Sequence, residues 1–215
     1  MRALMTGFEG WAGRMNPSGK IAMSLDNREL GNLEVFGIEL PEDFLKLPGM
    51  LRELITKVNP DIVIGTGWDY ISKIKVEKVA LNVQSSHFGN SIVPDNYKHK
   101  PMGNEIIKRG ELALRSSLPA EKIVGTLNKR GFPAFVSYQA GTHCCNTVMY
   151  SAIFYSSENK RRKPIAGFIH IPPVAEMKVK NTGTLCMKLE EETKALESVL
   201  EACRDYLNSA SVNIG

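Results

Sequence analysis

Two stretches of this chain are apolar at nearly every position: Ile62-Val63-Ile64 within 61–65, and Ile165-Ala166-Gly167-Phe168-Ile169-His170-Ile171. A strand with one wet face alternates apolar and polar side chains, so an unbroken apolar run is a strand covered on both faces. Similar readings place strands over 3–6, 33–40, 61–65, 76–83, 133–138 and 165–171. Helical spacing of apolar residues falls between them, over 18–27, 42–58, 104–116, 120–130, 145–157 and 189–208. Strands alternating with helices predict an α/β fold: a single-domain, three-layer α/β/α sandwich over 1–215 around a twisted, largely parallel or mixed sheet. Pro48 inside the second helical pattern marks an irregular start or a kink. Residues 84–103, with Gly89, Pro94, Pro101 and Gly103, form the one long irregular stretch, either a loop over a site or a surface excursion.

Composition excludes several classes. The 215 residues are 43% hydrophobic and 23% charged with a net charge of +4, too mild a balance to argue for nucleic acid. The basic run Lys160-Arg161-Arg162-Lys163 has no aromatic residues interleaved and reads as a solvated loop. No segment approaches the length of a membrane span, and glycines interrupt the first apolar run. The four cysteines form no CxxC pair, and a disulfide framework is not expected. The expected compartment is a reducing cytoplasm, with no membrane or nucleic-acid partner.

The chemistry concentrates around Ser137-Tyr138-Gln139-Ala140-Gly141-Thr142-His143-Cys144-Cys145-Asn146. A short buried strand precedes it. Val148, Met149, Ala152 and Ile153 follow at helical spacing. A cysteine at such a strand-to-helix turn faces the unpaired N–H groups of the first helical turn, which favour a thiolate. Cys145 is the main candidate, Cys144 its rival. Adjacent residues lack the usual spacing of zinc ligands, so no metal and no cofactor are expected. Cys203 falls on the apolar stripe of the last helix and reads as core.

His170 ends an apolar strand at the rim of an open α/β sheet, where ligands tend to bind. It can take a proton from a thiol and return it to a leaving amine. Glu77, in Lys75-Val76-Glu77-Lys78-Val79-Ala80-Leu81-Asn82, shares by alternation a face with Val79 and Leu81. A carboxylate so placed needs a partner, which a histidine or a lysine would supply. The loop Thr6-Gly7-Phe8-Glu9-Gly10-Trp11-Ala12-Gly13 lacks both the P-loop and the dinucleotide spacing. Its aromatics Phe8 and Trp11 suit an apolar pocket for a small ring.

These residues resemble the pyrrolidone-carboxyl peptidases, also called pyroglutamyl peptidase I. The resemblance runs through Thr6-Gly7-Phe8, Asn16-Pro17-Ser18, Glu77 to Asn82, Pro94-Asp95-Asn96, Ala140-Gly141-Thr142 with Cys145-Asn146, and Phe168-Ile169-His170-Ile171-Pro172. It implies a cysteine peptidase that removes an N-terminal pyroglutamyl residue from a peptide with a blocked N-terminus. Cys145 corresponds to the nucleophile, His170 to the base and Glu77 to the acid that orients it. A homo-oligomer, a tetramer by resemblance, is implied as well.

The chain departs from the family pattern around the expected pocket. Gly-Phe-Xaa-Pro-Phe-Gly-Gly has become Gly7-Phe8-Glu9-Gly10-Trp11-Ala12-Gly13, so Phe8 matches one pocket aromatic and Trp11 replaces a second. Ile92 stands at an arginine position, Gly65-Thr66-Gly67-Trp68-Asp69 has no glutamine, and His143 replaces an aromatic. Pro41-Glu42 stands for Pro-Thr. Phe8, Trp11 and His143 are the expected substrate-binding residues, and weaker or altered pyroglutamyl cleavage is expected. Two other readings stay open at this point: a hydrolase for another small N-terminal cap or amide, and a binding protein on the same fold.

Overall fold

A computed structural model describes residues 1–11, 13–159, 162–177 and 186–212. Lys160 and Arg161 of the basic run and Ala12 of the first loop lie outside the described residues. Seven strands make the main sheet: β1 (Arg2–Phe8), β2 (Glu29–Leu30), β3 (Leu33–Leu40), β4 (Ile62–Trp68), β5 (Ile74–Glu77), β6 (Ala134–Ser137) and β7 (Ile165–Ile171). Their order is β6-β5-β7-β4-β1-β3-β2. Strands β3, β1, β4 and β7 run parallel. β5 is antiparallel to β7 and parallel to β6, and β2 is antiparallel to β3, so the sheet is mixed, with reversals at the β7–β5 and β3–β2 junctions.

Five helices cover it: α1 (Pro17–Leu25), α2 (Leu47–Val58), α3 (Ala120–Lys129), α4 (Cys144–Glu158) and α5 (Leu189–Val212). Two apolar clusters show how they divide. Ala3, Met5, Ile62, Ile64 and Ile169 pack with residues of α1, α3 and α5. Leu4, Phe8, Val63, Ala166 and Phe168 pack with residues of α2 and α4. The expected three layers are therefore present, and the doubly covered strands are the ones with continuous apolar sequence.

The first strand-to-helix turn is set by local chemistry. Asn16 caps α1, its Oδ1 accepting from the Ser18 N–H at 3.1 Å and the Ser18 hydroxyl at 2.8 Å. Ser18 Oγ in turn accepts the Phe8 N–H at 3.0 Å, tying the end of β1 to the helix. A Cβ on Gly7 would lie 2.1 Å from Ser18 O, so only glycine allows this crossing.

Three sequence expectations need correction. Residues 104–116 do not form a helix; short strands at Met102–Asn104 and Ala113–Arg115 stand there. The side chain of Asn82 holds this stretch open. It accepts the Ile107 N–H and donates to the carbonyls of Ile107 and Gly110, and Arg109 takes a positive φ of 61°. Tertiary hydrogen bonds override an amphipathic pattern there. The strand expected over 76–83 breaks at Lys78, with Val79–Leu81 pairing instead with Ala113–Arg115. The alternation linking Glu77 to Val79 and Leu81 is therefore not what buries Glu77. Finally, β6 is an edge strand rather than a buried one, with Phe135 41% exposed. Pro48 sits in the first turn of α2, where its missing N–H costs nothing.

Glu192 of α5 is wholly buried, and neither carboxylate oxygen has a hydrogen-bond partner among the described residues. Burial, with Glu176 adding repulsion, pushes its carboxyl up to about 9. The folded chain thus holds a proton that the unfolded chain releases above its ordinary value of 4.5. Stability is expected to fall as pH rises between these two values and to level off beyond the higher one. Urea midpoints at pH 6 and pH 9 test this: Glu192→Gln is expected to flatten the difference, and an unchanged slope would assign the pH dependence to other groups.

Candidate active site

Cys145 is the second residue of α4, and His143 is the extended N-cap residue before it. The first N–H groups of a helix have no intrahelical partner, so they face outward beside the thiol. The turn is clamped by Asn146, which is fully buried. Its Oδ1 accepts the Leu81 N–H at 2.9 Å, and its Nδ2 donates to the carbonyls of Leu81 at 2.8 Å and Val83 at 2.9 Å. The bonds lock the start of α4 onto the segment that follows β5. Removing them would leave buried backbone groups unpaired, at roughly 1–3 kcal/mol each.

Gly67 of β4 forms the floor under the thiol. A Cβ placed there would lie 2.9 Å from Cys145 Sγ and 3.1 Å from Phe168 Cζ. Gly67 is also the register partner of His170 on the neighbouring strand β7. Partners across a parallel pair point to the same face, so the sulfur and the imidazole lie on the same side of the sheet, the side that α4 covers. The Phe168 ring packs edge-on against His170 at 4.9 Å between centroids.

Glu77 arrives from β5. It lies opposite Phe168, two residue pairs along from the His170–Lys75 pairing, and the diagonal brings its carboxylate to His170. His170 Nδ1 and Glu77 Oε1 are 2.8 Å apart, with Glu77 fully buried and His170 nearly so. An ionised carboxylate only accepts, so Nδ1 carries the proton and Nε2 is left as the basic nitrogen. The other oxygen, Glu77 Oε2, is buried without a partner among the described residues.

Negative charge surrounds the thiol. Burial pushes the Cys145 thiol well up, and the carboxylates of Glu42, Asp69 and Glu77 push it further; only the backbone N–H at the helix start pulls it down. The expected helix-stabilised thiolate is thus outweighed in the free protein, and the sulfur needs a base. Asp69 is held below the usual carboxylate range. Its burial works against this, but the Lys75 ammonium, 2.6 Å away, outweighs it. Cys144 is fully buried, points into the core beside α2 and is pushed well up by burial. Cys203 is a core residue as expected, and Cys186 is exposed.

Of the remaining candidates, His143 stands at the site. Its Nε2 lies 3.1 Å from Val93 O, its Nδ1 lies 3.5 Å from Glu42 Oε1, and its ring meets Phe44 edge-on at 4.6 Å. Phe8 is buried in the cluster that also holds Phe44, Ala140, Cys144 and Phe168. Trp11 is half-buried. Its indole N–H donates to Pro94 O at 3.4 Å, and it lines an open groove with Gly10, Asn96 and Lys98. Ile92 is exposed on a two-residue strand. Sequence reasoning did not single out Gly67 or Asn146 as a clamp, and it noted Glu42 only as a departure from the family pattern, without a role. For Glu42 a further signal was its place two residues after the end of β3, at the strand-end rim.

The chain from 1 to 206 matches the model of the pyroglutamyl peptidase family. It is 35% identical to the pyrrolidone-carboxylate peptidase of Thermococcus litoralis, with 96% of this chain and 94% of that protein covered. It is also 35% identical to the pyrrolidone-carboxylate peptidase of Pyrococcus furiosus, covering 94% of this chain and 99% of that one. The solved structure of the Thermococcus litoralis pyrrolidone carboxyl peptidase superposes with a TM-score of 0.89 at 33% identity, over 97% of this chain and 96% of that one.

Because Gly67 sets the position of the sulfur, Gly67→Ala is expected to slow alkylation of Cys145 roughly 10- to 100-fold. Peptide mapping after limited iodoacetamide treatment gives the rate, with exposed Cys186 as the internal reference. An unchanged rate at Cys145 would show that the floor has slack.

Proposed function

Since the chain belongs to the pyroglutamyl peptidase family, we propose that it removes N-terminal 5-oxoproline from peptides with Cys145 as nucleophile, His170 as general base and Glu77 as the residue that orients it. The observation that carries this reading is the buried 2.8 Å contact between His170 Nδ1 and Glu77 Oε1, on the sheet face where Gly67 lies under Cys145 Sγ.

His170 Nε2 takes the Cys145 proton as Sγ bonds to the carbonyl carbon of the pyroglutamyl residue. The carbonyl oxygen becomes an oxyanion, stabilised by the N–H groups at the start of α4. The oxyanion collapses, the C–N bond breaks, and the proton on His170 passes to the leaving amine. Water then attacks the thioester and gives a proton to His170. The C–S bond breaks, 5-oxoproline leaves, and the thiol regains its proton. Glu77 stabilises the imidazolium formed at each half of the cycle.

Phe8, Trp11 and His143 are proposed to contact the substrate ring or its surroundings. The exposed Phe135 on the open edge strand β6 gives a place that a second copy can cover, which supports a homo-oligomer, a tetramer by family likeness. Among the described residues no helix is long and apolar enough to cross a membrane, and Cys144, Cys145 and Cys203 are free thiols. Free thiols support a reducing, cytoplasmic location.

Cys145→Ala is expected to abolish hydrolysis of a pyroglutamyl amide with the fold retained, and Cys145→Ser to keep little, since an alcohol is a poor nucleophile at neutral pH. Full activity in Cys145→Ala with loss in Cys144→Ala would move the nucleophile by one residue. His170 and Glu77 are expected to act as a unit: once His170→Ala has removed the base, adding Glu77→Gln costs little more kcat/KM. Losses that add on a logarithmic scale would show that Glu77 does not work through His170.

A further inference from the structure

The backbone of Glu42 is fixed at the rim of the site on both sides. Its N–H donates to Glu9 Oε1 at 3.1 Å, and its C=O accepts the Asn96 N–H at 3.1 Å. The carboxylate is largely buried and faces His143 Nδ1. Its oxygen, a His143 ring nitrogen and Cys144 Sγ all lie within 4.8 Å of one another. It is the charge that acts most strongly on both thiols of the Cys144–Cys145 pair. The aromatic walls nearby are Phe8 and Phe44.

Val93 O can only accept, so His143 Nε2 is the donor of that contact and Nδ1 is the nitrogen turned to Glu42. The carboxylate presents acceptor capacity beside His143, the N-cap residue of the helix that carries the nucleophile, with Phe8 and Phe44 as the apolar wall.

We propose that Glu42 accepts the ring N–H of the pyroglutamyl residue, with His143 as the positioning residue that holds the carboxylate. This deepens the peptidase reading and rests on it. It also answers the weaker cleavage expected from the sequence. Glutamine is absent from Gly65 to Asp69, and the aromatic before the nucleophile has become His143. The same chain carries an acid at 42 that restores a polar partner. Because the histidine ring also stacks edge-on with Phe44, one substitution supplies both a wall and a partner for the acid.

The test compares kcat/KM for three amides that share one leaving group: the pyroglutamyl amide, the 3-oxocyclopentanecarbonyl amide with CH2 in place of the ring N–H, and prolyl amide. The wild-type protein is expected to favour the lactam over the carbocycle roughly 10- to 100-fold, the worth of one charge-assisted hydrogen bond. In Glu42→Leu this ratio is expected to collapse towards one as the lactam rate falls. Glu42→Gln keeps the size of the side chain and an amide oxygen, and an intermediate ratio is expected; it carries the test should the leucine variant fail to fold. His143→Phe is expected to lower the ratio through KM, whereas an equal loss of kcat on both rings would leave His143 merely structural. A wild-type ratio near one, a ratio unchanged in both Glu42 variants, or preferred cleavage of prolyl amide would overturn the role of Glu42 while leaving the peptidase reading in place. Cleavage of none of the three amides by the wild-type protein would overturn that reading and this one with it.

Discussion

The contact between His170 Nδ1 and Glu77 Oε1 is the constraint around which the rest of the structure is arranged. It depends on the reversal of strand direction at the β7–β5 junction. Antiparallel pairing sets Glu77 opposite Phe168, so its carboxylate shares a face with the imidazole two residues further on. A buried ion pair of this kind adds little net stability, because desolvation offsets most of the attraction. Breaking it by removing one partner is costly, about 3–5 kcal/mol, since the other charge stays buried. Glu77 Oε2, buried without a partner among the described residues, costs stability whether or not the pair is intact. The fold therefore carries a polar arrangement that packing alone would not select.

The electrostatics around the sulfur point the same way. Carboxylates at Glu42, Asp69 and Glu77, together with burial, favour the neutral thiol. A resting thiolate would need a depressed value, and the helix start alone does not provide it. What the site provides instead is an oriented base: the proton leaves sulfur only as the imidazole receives it, with a fixed carboxylate behind the imidazole. The lysine beside Asp69 limits how much of that acid's charge reaches the site.

Much of this was legible in the sequence, for physical reasons. Continuous apolar runs identified the doubly covered strands β4 and β7, and the strand–turn–helix pattern placed Cys145 within one residue of a helix start. His170 was readable from its place at a strand end. Glu77 was singled out by an alternation that the structure does not keep, since the strand ends at Glu77 itself. The absence of a helix over 104–116 was not legible. It depends on three hydrogen bonds from Asn82, some 25 residues away, and local spacing carries no sign of them. Gly67 escaped notice, and Glu42 was noted only as a departure from the family pattern, because their roles come from what lies beside them in space. A glycine at a strand end looks alike whether it faces a sulfur atom or open solvent.

The central claim is that Cys145 forms the covalent bond to the pyroglutamyl carbonyl with His170 as its base. Rapid acid quenching of the protein with an activated pyroglutamyl ester, followed by peptide mapping by mass spectrometry, tests it most directly. The account predicts a pyroglutamyl thioester on Cys145 that builds up within the first turnover in the wild-type protein and fails to form at a comparable rate in His170→Ala. A thioester on Cys144, or turnover of the ester with no acyl group on any cysteine, would contradict it.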